Sequence, residues 1–402
     1  MRATDGPAHR SPSGIPHPAG LGLASLVAAA LLAGGGALDA RLARAQEVPV
    51  IVGFHRDVDP GIFARHGGRA RSDLGPVLRA CAGTVPTARV GALLAEPGVA
   101  YVEEDRVRRK RATPNDTYYA RYQASPFGLV RLPAAWDVSR GAGVRVAVVD
   151  TGCEVAHPDI GSGASGKVKA VRNFTTRDTA DVTDQDGHGT HTAGTVGART
   201  GNRRGVAAAG YDCELAIAKV LSPTGAYDSW TAGAITWSWQ TAGARVISMS
   251  LGGPGYTYTL QSAVTRADRA GALLVAAAGN DASSRPDYPA AFSVCLSVAA
   301  TTATGRPASF TNYGRTVDIA APGVSILSTW TGGQYVFSGG TSMATPIVSG
   351  IAALVFATTP GATGAAVRQR LLATRVDTGF DYPDGAPILR VDAAGAVRSA
   401  AP

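Results

Sequence analysis

Three short segments carry side chains that together can activate a nucleophile. The apolar run Val144-Arg-Val-Ala-Val-Val149 delivers an acid in Asp150-Thr-Gly152. Asp186-Gly-His-Gly-Thr-His191 sets an imidazole among glycines, which let neighbouring backbone approach it closely. Gly340-Thr-Ser-Met-Ala-Thr-Pro346 opens a long apolar stretch with a hydroxyl. In such a set the imidazole takes the hydroxyl proton, while the carboxylate fixes its tautomer and stabilises its cation. Singly, each segment is weak. Asp-x-Gly after a strand also serves aspartic proteases and metal sites, and a serine opening a helix is most often a cap. His188 and His191 are three apart without the Glu of a zincin helix, which argues against a zinc pair. In the order Asp150, His188, Ser342 the three point to acyl transfer. A fourth segment, Val275-Ala-Ala-Ala-Gly-Asn280, ends an apolar run in an asparagine that by itself reads as a turn residue.

The elements that must position these groups alternate in type. Apolar runs at 144–149, 215–221, 246–251 and 273–278 have the length and composition of buried strands. Residues 229–241, 258–270 and 342–357 carry helical spacing. The alternation predicts an α/β fold of three layers, a mostly parallel sheet with helices on both faces. The chemical segments then fall at the carboxyl ends of strands, where such sheets hold their sites.

Composition narrows the alternatives. Hydrophobic residues make up 45% and charged residues 17%, enough for a sizeable core. The net charge of +8 is concentrated early: residues 1–111 carry 15 Lys/Arg against 10 Asp/Glu, and residues 112–402 carry 23 against 20. No basic stripe with interleaved aromatics remains, so no nucleic-acid partner is expected. Cys81, Cys153, Cys213 and Cys295 include no Cys-x-x-Cys pair, which argues against zinc; one disulfide is possible, with no choice of pair. Cys153 reads as a small buried side chain rather than a nucleophile.

The apolar, glycine- and alanine-rich stretch 21–38, after Arg2 and Arg10 and before Ala43-Arg-Ala45, fits a removed signal peptide over residues 1–45 better than a membrane anchor. Residues 46–111 form a candidate small α+β unit, with strands at 49–54 and 99–105, a turn at His66-Gly-Gly68 and a short helix at 90–94. The basic run Arg108-Arg-Lys-Arg111 closes it as a candidate processing site, and 112–402 remains as the catalytic part.

The four chemical segments resemble those of the subtilisin-like serine proteases, and the resemblance spans nearly all of 113–398. Thr113-Pro-Asn-Asp-Thr-Tyr-Tyr119 and Pro387-Ile-Leu-Arg-Val-Asp392 are similar to the mature start and the end of the thermitase-like branch. His66-Gly-Gly68 with Pro97-x-Val-x-Tyr-Val-Glu-x-Asp105 resembles the family's inhibitor-type propeptide. The resemblance implies a secreted (extracellular or periplasmic) serine endopeptidase acting on polypeptides. It has no membrane span after processing, is expected as a monomer, and is capped by its own propeptide until cleavage near Arg111. It assigns Asp150, His188 and Ser342 as the triad, with Asn280 and the Ser342 N–H as oxyanion donors.

The resemblance further implies that Gly225, Ala226, Tyr227 and Ser250, Leu251, Gly252 pair with an extended peptide. Ser250 to Gly252 and Ala277, Ala278, Gly279 would line the primary specificity pocket. Nothing bulky or charged lies in these stretches, so an apolar residue before the cut is expected, and Asp281 at the rim would also admit Lys or Arg. Asp116, Asp159 and Asn202 match oxygen ligands of a calcium site, although Arg199, Arg203 and Arg204 would repel Ca2+ unless they point outward. Thr192 stands where thermitase-like enzymes carry a cysteine, and Ile347 where the serine motif usually has His. Two alternatives stay open: a narrow maturation protease, and an inactive subtilisin-shaped binding protein.

Overall fold

A computed structural model of the chain describes residues 47–106 and 113–399, so the leader and the Arg108–Arg111 run lie outside the described residues. Two compact units result, divided at residue 109. In the first, β1 (Glu47–Phe54), β2 (Arg69–Asp73), β3 (Ala80–Pro86) and β4 (Val99–Glu104) form an antiparallel sheet in the order β2-β3-β1-β4. The short helix α1 (Val90–Leu94) adds Val90 and Leu93 to a core with Val52, Ile62, Phe63 and Val85. The sequence suggests only β1 and β4. β2 is exposed throughout and β3 is built largely of small residues, so neither alternates in polarity.

The second unit carries the larger sheet. Its strands are β5 (Arg145–Asp150), β6 (Val168–Asn173), β7 (Glu214–Lys219), β8 (Val246–Met249), β9 (Leu273–Ala277), β10 (Cys295–Thr301) and β11 (Ile319–Pro322). They pair in parallel in the order β11-β10-β9-β8-β5-β7-β6. A separate hairpin joins β12 (Ile326–Trp330) to β13 (Gln334–Ser338). An antiparallel pair, β14 (Val376–Asp381) and β15 (Pro387–Arg390), extends the β11 edge, giving nine strands among the described residues.

Helices α2 (His188–Gly197) and α5 (Thr341–Thr358) pack in one core beneath the sheet. α3 (Asp228–Gln240) and α4 (Tyr258–Arg269) pack in a second core on the opposite face. The expected three-layer α/β architecture is therefore what forms. Successive strands lie on either side of β5, so its carboxyl end is a topological switch point of the kind where α/β sheets place their sites.

α5 decides much of this packing. It is the only helix among the described residues long and apolar enough to cross a membrane, yet it lies inside the core, buried from Thr341 to Phe356 apart from Ser342. Ile347 is fully buried among these residues, so the departure at this position is absorbed as core. All four cysteines are buried and free, so the disulfide left open by the sequence does not form. Burial also raises the Cys153 thiol far above its usual range, as expected of an inert side chain.

Candidate active site

β5 ends in Asp150, which is wholly buried. A buried carboxylate must be satisfied by donors. Asp150 Oδ1 accepts from Thr151 N at 2.7 Å and lies 2.7 Å from His188 Nδ1, while Oδ2 accepts from Thr192 Oγ1 at 3.1 Å. Thr192, singled out in the sequence only as a departure, thus supplies a third donor. Gly189 lets the first turn of α2 close on β5: a Cβ there would sit 2.2 Å from Gly152 O.

The loop that carries His188 is organised by Asp184, which the sequence did not single out. Its Oδ1 accepts from Thr151 Oγ1, Asp186 N and Gly187 N at 2.8, 3.1 and 2.9 Å. Its Oδ2 accepts from Thr190 N and Oγ1 at 2.8 and 2.7 Å. Burial pushes this carboxyl upward, but these donors outweigh it and hold its pKa below the usual value.

His188 is about a quarter exposed, with a side-chain value of 27%. Burial alone would lower its pKa. The charge and hydrogen bond of Asp150, helped by Asp186 and Asp184, win and raise it to about 9. His191 behaves oppositely. Buried, with Nε2 facing Ile326 O at 3.0 Å and Val336 O at 3.1 Å, it is pushed down to about 4 by desolvation. It therefore stays neutral and ties α2 to the β12–β13 hairpin.

Ser342 is the second residue of α5. Pro346 lacks the N–H that would bond Ser342 O one turn back, and Ser250 Oγ donates to that carbonyl instead, at 2.8 Å. Ser342 Oγ in turn donates to Ser250 O at 3.3 Å. This is the bond its hydroxyl makes here, and no bond to His188 is formed among the described residues.

Asn280 Oδ1 accepts from Thr341 N at 2.8 Å and Thr341 Oγ1 at 3.0 Å, which fixes the amide so that Nδ2 is left as the outward donor. Gly340 adopts φ +151°, and a Cβ there would lie 3.6 Å from both Asn280 Nδ2 and Ser342 N. Two N–H donors thus lie within 3.6 Å of one point beside Ser342, an arrangement able to bind an oxyanion.

Around this centre, buried Asn312 clamps the loop after β9. Its Nδ2 donates to Ala278 O at 3.0 Å, and its Oδ1 accepts from Asp281 N at 2.9 Å and Ser283 N at 3.1 Å. Ala277 and Ala278 are buried, and Ser250 to Gly252 run beside them. Asp287, from outside these stretches, also lies against them. The expectation of an uncharged lining therefore holds for the stretches but not for their surroundings. At the opposite segment, both the N–H and C=O of Gly225 are taken by Ser222, at 2.9 and 3.0 Å. Ala226 rather than Gly225 is left to pair with a strand, and Tyr227 stands 65% exposed against Trp230.

Asp116, Asp159 and Asn202 come together. Asp159 Oδ2 accepts from Val206 N at 2.9 Å, Asp159 Oδ1 from Asn202 Nδ2 at 2.5 Å, and both Asp116 oxygens from Gly201 N. Both carboxylates are buried, burial raises both, and neither has an ion-pair partner among the described residues. Arg199 is turned to Ile160 O and Ser165 O, and Arg203 and Arg204 are exposed. Two uncompensated buried carboxylates fit a hard cation, provided the Asn202 amide turns its oxygen inward. No group of three His, Cys, Asp or Glu gathers among the described residues, so neutral oxygens would have to complete the shell.

Comparison with known proteins agrees with this architecture. The model of the subtilase family of peptidases matches residues 141–386, and the chain belongs to that family. It is 41% identical over 245 residues to thermitase of Thermoactinomyces vulgaris, covering 60% of this chain and 85% of that one. It is also 41% identical over 268 residues to a thermophilic serine proteinase of Bacillus sp. strain AK1, a match that spans 66% of this chain and 65% of that relative. Within the family it is thus a thermitase-like serine peptidase. Subtilisin E of Bacillus subtilis strain 168 matches at 35% over 363 residues, 87% of this chain and 90% of its own. A solved protease structure from Pseudoalteromonas arctica PAMC 21717 aligns with a TM-score of 0.65 at 31% identity, over 71% of this chain and 99% of its own.

A general base works only while neutral, so activity should be present above the His188 pKa and lost as pH falls through it. The acid limb of kcat/KM on a peptide amide is expected above about 6.5, the ordinary imidazole value, and Asp150→Asn should move it downward. A wild-type limb at or below 6.5 would contradict the geometry around His188.

Proposed function

We propose that the protein is a secreted serine endopeptidase that cleaves polypeptides through an acyl-enzyme, with Asp150, His188 and Ser342 as its triad. The observation that carries this is the convergence of Asn280 Nδ2 and Ser342 N on one space, beside a serine at the head of α5. An extended substrate adds to the free edges of Ser250 to Gly252 and of Ala226, where main-chain bonds give broad sequence tolerance. Ser342 Oγ rotates from Ser250 O toward His188, gives up its proton to Nε2 and attacks the carbonyl. Asp150 holds Nδ1–H and stabilises the imidazolium. The oxyanion takes the Asn280 and Ser342 donors, and the leaving amine receives the proton from His188.

Residues 1–45 direct export, and 46–111 fold as an inhibitory propeptide released near Arg111. The match to subtilisin E supports that division, being longer than the whole second unit. Asp116, Asp159 and the Asn202 amide hold Ca2+, whose role when bound is to neutralise the two buried carboxylates and fix the 201–206 loop.

Processed protein should hydrolyse casein, and Ser342→Ala should lose about a millionfold in turnover, as expected if the triad acts as a unit. Failure of processed wild-type protein to cut either casein or any fluorogenic peptide, apolar or basic before the cut, would favour a narrow maturation protease or an inactive binding protein. Chelator should lower the melting temperature of the Ser342→Ala protein, reversibly on adding Ca2+. At a hundredfold excess over Kd such a ligand contributes about 2.7 kcal/mol. An unchanged melting temperature would exclude a stabilising calcium site.

A further inference from the structure

We infer that the specificity pocket is built for a basic side chain before the cut, with Asp287 as the residue that selects it. The inference rests on the endopeptidase reading of the same site. Its basis is where the Asp287 carboxylate sits. A Cβ on Gly279, in one wall of the pocket, would lie 2.4 Å from Asp287 Oδ2, and a Cβ on Gly252, in the facing wall, would lie 3.9 Å from Asp287 Cβ. The backbone holds that position from both sides: Gly253 N donates to Tyr288 O at 3.1 Å and Tyr288 N to Gly253 O at 2.9 Å, and Ala291 N donates to Asp287 O at 2.8 Å. The carboxylate therefore packs directly against Gly279, where only the missing side chain leaves it room, while its Cβ lies in ordinary contact range of Gly252.

Neither Asp287 nor Asp281 has an ion pair or a side-chain hydrogen bond among the described residues, and Arg285 of the same loop pairs with neither. Burial, and next the charge of Asp281, raise the Asp287 carboxyl. The half-buried Asp287 carboxylate, with the charge of exposed Asp281 near it, lacks a cation, and a lysine or arginine side chain would relieve both its burial and that repulsion. An apolar side chain would instead bury Asp287 further without compensation. The sequence offers such a substrate in the chain itself, since Arg108-Arg-Lys-Arg111 precedes the catalytic unit.

The test compares processed enzyme on one peptide series with arginine, lysine, citrulline or phenylalanine before the cut. Citrulline keeps the shape of arginine without its charge. We expect kcat/KM for arginine to exceed that for citrulline about tenfold or more, the scale on which close charge pairs discriminate. Asp287→Asn should bring the ratio close to one, with a smaller fall for Asp281→Asn. Cleavage of every peptide at comparable rates, or a ratio untouched by Asp287→Asn, overturns the inference and leaves the endopeptidase reading standing. Binding of benzamidine to the Ser342→Ala protein gives a readout that needs no turnover. It should be measurable by calorimetry and abolished by Asp287→Asn, and absence of binding to the Asp287-containing protein also overturns the inference. Hydrolysis of no peptide at all, with benzamidine still bound, would sink the endopeptidase reading and keep the basic pocket.

Discussion

A carboxylate buried at the end of a parallel strand can exist only if donors surround it, and at Asp150 that requirement organises the molecule. Its partners come from its own backbone turn and from two positions on α2, 38 and 42 residues along the chain. Meeting them forces the amino end of α2 against the carboxyl end of β5, and Gly189 makes the approach sterically possible. Asp184 fixes the intervening loop with five hydrogen bonds of its own, so the imidazole is held on rigid elements rather than on a free loop. The same buried charge raises the His188 pKa, linking the fold to the pH range in which the imidazole can act as a base.

The second fixed part is the head of α5. This helix is buried from Thr341 to Phe356 apart from Ser342 and also carries the candidate nucleophile, so packing and chemistry share one set of atoms. Pro346 opens a gap in its hydrogen bonding that Ser250 closes, which locks Ser342 to the strand end on which a substrate would lie. Thr341, the residue before the serine, fixes the Asn280 amide and leaves one of its donors pointing outward. Stability at this point and preorganisation for an anion come from the same few bonds.

Much of the architecture is legible in the sequence because long apolar runs with a clear period impose it. β5, β7, β8 and β9 and helices α3, α4 and α5 fall within a few residues of where the pattern puts them. β2 and β3 do not show, because an exposed strand and one of small residues have no polarity contrast. At the site, the segments with distinctive chemistry stand out, whereas Asp184, Asn312 and Asp287 do not. Each is an ordinary polar residue in a loop, and its role comes from tertiary neighbours up to 35 residues away. The turn at Gly225 is illegible for the same reason, since its backbone is committed to Ser222 by a local bridge that no side-chain pattern announces.

The central claim is that Ser342 is the nucleophile, set up by the groups around it. Reaction of the processed protein with an aryl sulfonyl fluoride, followed by peptide mass mapping, tests it directly. Displacement of fluoride by Ser342 Oγ should leave one sulfonyl adduct per chain, on the peptide holding Ser342, and His188→Ala should abolish the labelling. An adduct on another residue, or labelling of Ser342 that persists undiminished in His188→Ala, would contradict the account.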